Sequence, residues 1–211
     1  MGHAMTQKPH PARSRKFIAA KRAAERHLPD HLPGLFYLTD PGRSPDPFRT
    51  TENLPTGSGV IYRHFGKPDR NDVARELRII SRRKGIKLLI SNDPLLALQV
   101  DADGVHWPEK SLSQAKIWRR RFELMTASAH SRSAIQSASV LSLDATLVST
   151  VFASASASAS SPMGPLRFKS LARQAPLPVY ALGGITSDNA EHTAEFGGIA
   201  SISGIEEAFG F

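Results

Sequence analysis

The feature that most constrains this chain is an alternation: from about residue 35 onward, short apolar runs are separated by stretches of helical period. Eight runs read as strands: residues 35–39 (LFYLT), 59–63 (GVIYR), 87–91 (KLLIS), 104–107 (GVHW), 124–128 (LMTAS), 145–152 (ATLVSTVF), 179–182 (VYAL) and 199–203 (IASIS). Several are apolar throughout, as expected of strands covered on both faces, and strands that alternate with helices pair in parallel. Eight βα units in 211 residues predict an α/β fold, a (β/α)8 TIM barrel. That length gives one sizeable core and excludes a second full domain.

The segments between the runs carry helix signals of unequal strength. Asp69 and Asp72 offer caps, Val73, Leu77 and Ile80 recur on one face, Arg75, Glu76, Arg78, Arg82 and Arg83 fill the other, and Gly85 stops the helix. Residues 111–122 and 186–196 have similar periods, and the last helix, 205–209, is short. The connection 41–56, rich in Pro and Gly, predicts irregular structure.

Charge is unevenly distributed. Residues 1–30 hold seven Lys or Arg against two acidic side chains, five of the chain's eight net positive charges. We therefore divide the chain into a basic N-terminal extension, residues 1–33, partly helical or disordered, and a barrel domain, residues 34–211. Without aromatic interleaving or a recognition motif, the basic charge argues for a solvated tail rather than a nucleic-acid partner. No run reaches the ~18 apolar residues that a membrane span needs, and the N-terminus lacks the apolar stretch of a secretory signal, so a cytoplasmic protein is expected. The chain has no cysteine, which excludes disulfides, thiolate nucleophiles and thiolate metal sites. Oligomeric state, including a homo-oligomer, stays open.

In such barrels the loops after the strands form the functional face, with phosphate bound after strands seven and eight. Here those loops are Gly183-Gly184-Ile185-Thr186 and Ile202-Ser203-Gly204, two small-residue turns entering helices. Glycines let the backbone approach a phosphate, and helix-start N–H groups attract negative charge. After the sixth run, residues 153–161 (ASASASASS) predict a loop of high conformational freedom, either a lid that orders on ligand or a permissive insertion. Asn92-Asp93-Pro94 ends the third run, where a carboxylate can hold Mg²⁺ or merely cap a helix. Arg63, with Lys67 beyond it, ends the second run and can pair with phosphate oxygens. His106 lies within an apolar run and reads as structural, whereas His130, just past Ser128, is better placed for a polar site.

These pieces, in this order, resemble the thiamine phosphate synthase family, which includes a thiazole tautomerase branch. The match runs through Tyr37-Leu38-Thr39-Asp40, Gly59-Val60, Arg63, Asn92-Asp93, residues 102–106 (ADGVH), Ser128-Ala129-His130-Ser131, Phe152, Gly183-Gly184-Ile185-Thr186 and Ile202-Ser203. The resemblance implies a transferase of thiamine biosynthesis that joins a hydroxymethylpyrimidine diphosphate to a thiazole phosphate and releases pyrophosphate. It further implies that Arg63 and Asn92 hold the diphosphate, Asp93 binds Mg²⁺, and Ser128 contacts the pyrimidine. Gly183, Gly184, Ile202, Ser203 and Gly204 would bind the thiazole phosphate, joined by Ser154 and Ser156 of the alanine-serine run. The sequence departs from the family pattern at Ile61 (Gln expected), Phe65 (Lys), Ser111 (a second metal-binding Asp) and Ala157 (Lys). The alternatives are an isomerase of the tautomerase type, with His130 or His64 as acid or base, or a phosphate-binding barrel without turnover. The tautomerase histidine falls on Thr150.

Overall fold

A computed structural model describes residues 10–154 and 161–210. Most of the alanine-serine run, with Ser156 and Ala157, lies outside them. Eight parallel strands close into a barrel in chain order: β1 Leu35–Leu38, β2 Gly59–Tyr62, β3 Lys87–Ser91, β4 Gly104–Trp107, β5 Leu124–Ala129, β6 Ala145–Val148, β7 Val179–Ala181 and β8 Gly198–Ser201, with β8 pairing to β1. This is the (β/α)8 TIM barrel.

Among the described residues the helices are α1 Pro11–Glu25, α2 Pro47–Asn53, α3 Arg70–Lys84, α4 Pro94–Gln99, α5 Ala115–Trp118, α6 Arg132–Val140, α7 Gly164–Gln174, α8 Glu191–Ala194 and α9 Ser203–Phe209, with a 3₁₀ turn, Glu109–Gln114, before α5. The 41–56 connection is more regular than its composition suggests. Asp46 caps α2 by accepting from the Arg49 N–H, and Pro47 opens the helix, where its missing N–H costs nothing. Conversely, β6 stops at Val148, because the N–H groups of Val151 and Phe152 turn to the carbonyls of Leu182 and Gly183 beyond β7.

The basic N-terminal segment contributes to the core. Phe17, Ala20 and Ala24 on one face of α1 are buried, and Phe17 packs on Phe209 of α9 with ring centroids 6.3 Å apart. The exposed face carries the charge, with Arg13 pairing with Glu207 and Lys16 with Asp188.

Inside the barrel, Phe36 of β1 and Tyr180 of β7 meet across β8, centroids 5.0 Å apart. Gly59 and Gly198 stand beside them in register, where a Cβ would lie within 2.2 and 2.1 Å of those rings. The two-residue period of the strands then places Ile61, Arg63, Ser91, His106, Thr126, Ser128 and Ser149 on the same inward face. The barrel is therefore apolar low down and polar at the C-terminal ends of its strands. A buried carboxylate ties two of its loops together outside the wall: Glu206 of α9 accepts from the Tyr37 hydroxyl and from Thr50 Oγ1 of α2 at 2.9 Å.

Candidate active site

At the C-terminal ends of the strands lies a cleft of about 630 Å³. Its walls come from the loops after β1 (Asp40, Arg43), β2 (Arg63), β6 (Ser149, Thr150, Ala153, Ser154), β7 (Gly183, Gly184) and β8 (Ile202, Ser203, Gly204, Glu207). The site is built where barrel geometry puts it.

One wall is almost all backbone. Gly183 and Gly184 adopt φ of +93° and +64°, a region that side chains disfavour. A Cβ on Gly184 would lie 2.2 Å from the Ala153 carbonyl oxygen, and one on Gly183 would lie 2.9 Å from the Thr150 methyl. The glycine pair thus lets the β6 loop pass against the β7 loop, which brings Ser154 into the cleft. Asn189 fixes the turn by accepting from the Thr186 N–H and donating to the Gly184 carbonyl, both at 2.9 Å. The Ser201 hydroxyl donates to the Ile185 carbonyl at 2.7 Å and couples the β7 and β8 loops. This wall therefore offers small residues and close-packed backbone to the cleft, at Gly183, Gly184, Ser203 and Gly204, with little side-chain bulk to keep a ligand away.

The facing wall is charged. Asp40 Oδ2 accepts from Arg43 at 2.8 Å and from Arg63 at 3.2 Å, while Asp40 Oδ1 accepts from the Gly42 N–H at 3.0 Å. The Arg43 hydrogen bond is the chief reason that the Asp40 carboxyl sits below its ordinary pKa. Arg63 is braced by Thr39, donating through Nε to the Thr39 carbonyl and through its backbone N–H to Thr39 Oγ1, each at 3.0 Å. Partial burial lowers the Arg63 pKa, and the Asp40 charge opposes that shift.

Beside the cleft, Ser128 Oγ lies 2.9 Å from His106 Nε2, and His106 Nδ1 lies 2.9 Å from Thr126 Oγ1. His106 is fully enclosed, and burial depresses its pKa to about 3, so a neutral ring orients Ser128. His130 is exposed, with Nδ1 3.2 Å from the Ser149 hydroxyl and its N–H donating to Glu109.

Asn92 and Asp93 are absent from the cleft lining. Asn92 is exposed at φ +54°, and its N–H donates to the His106 carbonyl at 2.9 Å. Asp93 caps α4 through Oδ1, accepting from the Leu96 N–H at 3.0 Å, and pairs through Oδ2 with Arg70, which also donates to the Ser91 carbonyl. Both carboxylate oxygens are therefore engaged as they stand, and Asp93 fits the capping role rather than the Mg²⁺ role. Among the described residues, no group of three or more His, Asp or Glu is placed to hold a metal. The departures agree. Ser111 is buried in the turn after β4, Ile61 is a fully buried inward side chain, and Phe65 is half exposed with the Arg70 guanidinium 5.6 Å from its ring centroid.

Of the residues that sequence motifs single out, Arg63, Ser154, Gly183, Gly184, Ile202, Ser203 and Gly204 converge on the cleft. Sequence reasoning missed Arg43, Ser149 and Glu207, although Ser149 directly follows β6 and Arg43 lies in the loop after β1, positions that could have flagged both.

Residues 49–205 match the family model described as thiamine monophosphate synthase. The chain belongs to this family. Relatives named thiamine-phosphate synthase include one from Chloroflexus aurantiacus, 32% identical over 156 residues, covering 71% of this chain and 72% of that protein. Another, from Bacillus velezensis, is 26% identical over 200 residues and covers 89% of each chain. Among solved structures, thiamine phosphate pyrophosphorylase from Pyrococcus furiosus superposes with a TM-score of 0.71 at 24% identity over 83% of this chain and 91% of that one, a likeness of fold. For the family, the overlap with this cleft is informative: the match ends at Ile205, just past the β8 loop, so it spans every strand-end loop but the first.

Proposed function

We propose that this protein is a thiamine phosphate synthase-like transferase, coupling a hydroxymethylpyrimidine diphosphate to a thiazole phosphate with release of pyrophosphate. The observation that carries the reading is the two-walled cleft in a member of this family, with the glycine-rich β7 and β8 loops on one side and Arg63 on the other. The thiazole phosphate sits against Gly183, Gly184 and Ser203, the diphosphate sits toward Arg63, and Ser128 faces the pyrimidine. In the coupling, the bond from the pyrimidine methylene carbon to the diphosphate oxygen breaks, its electron pair leaving with pyrophosphate. The thiazole nitrogen then donates its lone pair to that carbon and becomes the ring cation of the product.

These residues hold two anionic substrates in one cleft with the reacting atoms facing, which removes much of the entropy cost of a bimolecular step. Fixed positive charge near the leaving group stabilises charge as it develops. Magnesium is implied by the family resemblance, but Asp93 is engaged by Arg70 and the second acidic position is Ser111, so no step here is routed through a metal. The comparisons favour the synthase reading over the isomerase and the non-catalytic barrel. The test is product analysis with both substrates present: thiamine phosphate and pyrophosphate should form in equal amounts. Tight binding of both substrates without product would overturn the transferase reading.

A further inference from the structure

Resting on that reading, we propose that Arg43 is a second diphosphate-binding residue, and that Arg43 and Arg63, held on one oxygen of Asp40, supply the countercharge that Asp93 leaves no divalent cation to supply. Three observations converge. Arg43 lines the same cleft as Arg63 and the β8 loop, although it lies on the β1 loop outside the residues matched by the family model. Both guanidinium groups share Asp40 Oδ2, so each has donors to spare for a ligand, since an arginine carries five N–H donors. Asp93 already holds Arg70 and the α4 cap, one on each oxygen, and the family's second acidic position is Ser111, so this chain offers a divalent cation at most one partly engaged carboxylate.

The arrangement suits a diphosphate better than a monophosphate. Two planar forks set by a common carboxylate present several directed N–H groups to several phosphoryl oxygens, at little ordering cost on binding. When the carbon–oxygen bond breaks, the electron pair moves onto the pyrophosphate oxygen, and the added charge falls beside two fixed cations. Asp40 keeps both arginines aimed while the cleft is empty, and it moderates their mutual repulsion.

The experiment is calorimetry with inorganic pyrophosphate, and separately with thiazole phosphate, on the full chain. Wild type, Arg43→Ala, Arg43→Lys and Asp93→Ala are each measured in EDTA and in Mg²⁺, with thermal melting to confirm folding. Wild type should bind pyrophosphate equally well in EDTA and in Mg²⁺. Arg43→Ala should weaken it roughly tenfold to a hundredfold, the worth of charge-assisted hydrogen bonds. Arg43→Lys should restore part of that loss, because a point charge lacks the fork. Unchanged pyrophosphate affinity in a folded Arg43→Ala protein would overturn the inference. So would binding that requires Mg²⁺ and vanishes in Asp93→Ala; either result leaves the synthase reading standing. If wild type binds thiazole phosphate but not pyrophosphate, the inference falls; if it binds neither, the synthase reading falls with it.

Discussion

At the scale of single residues, the polar layer at the top of the barrel is set by environment as much as by residue type. His106 shows this best. Its ring is enclosed and bonded on both nitrogens, and its pKa of about 3 lies far below the ordinary imidazole value of 6.5. In the unfolded chain the ring takes up a proton near 6.5, whereas in the folded protein it does so only near 3. His106 therefore leaves stability intact above pH 6.5 and draws it down as pH falls toward 3. Urea denaturation at pH 7 and pH 5 should show wild type losing up to about 2 kcal/mol more than His106→Gln, from ~1.4 kcal/mol per pH unit for one proton. Parallel losses in the two proteins would contradict a buried neutral histidine. Asp93 is the second case. As a helix cap paired with Arg70, Asp93→Asn should keep the fold with a loss of about 1–3 kcal/mol in a urea titration, since Asn caps nearly as well as Asp but its amide NH2 cannot accept from Arg70.

At the scale of elements, two interactions decide whether the site exists. The β6 and β7 loops cross so closely that Gly184 leaves no room for a side chain. Gly184→Val should cost about 1–3 kcal/mol for the left-handed backbone alone, and more for the collision with the Ala153 carbonyl. Its phosphate-ligand affinity should fall with its melting temperature, whereas a variant with unchanged melting would show that the loops do not pack as described. Helix α1 is the other. Phe17→Ala should destabilise by about 3–5 kcal/mol in urea unfolding, the cost of emptying a buried aromatic site. A loss under 1 kcal/mol would return α1 to the status of a solvated tail.

The whole molecule shows what was legible in the sequence and what was not. All eight strands could be read because a parallel barrel strand is buried on both faces and leaves an unbroken apolar run. The α1 helix was harder to read because only Phe17 and small alanines mark its buried face, among charges that dominate the composition. The phosphate wall was legible because Gly183-Gly184 and Ser203-Gly204 are local signals. The charged wall was only half legible: Arg63 ends a strand, but Arg43 lies in a Pro- and Gly-rich loop whose local turn, closed by the Asp40–Arg43 pair, reads as irregular in the sequence. Asp93 stayed ambiguous because a strand-end carboxylate suits a metal and a helix cap alike, and the pairing with Arg70, on α3, is a contact that local sequence does not show.

The central claim is that the two walls act on two substrates in one cleft. The most direct measurement is a coupling assay with hydroxymethylpyrimidine diphosphate and thiazole phosphate, following thiamine phosphate and pyrophosphate in wild type and Arg63→Ala. The account predicts equal amounts of both products from wild type and a fall of roughly a hundredfold or more in kcat/KM for Arg63→Ala, as expected when a fixed cation facing the leaving group is removed. Product formation unaffected by Arg63→Ala, or none from wild type while both substrates bind, would contradict it.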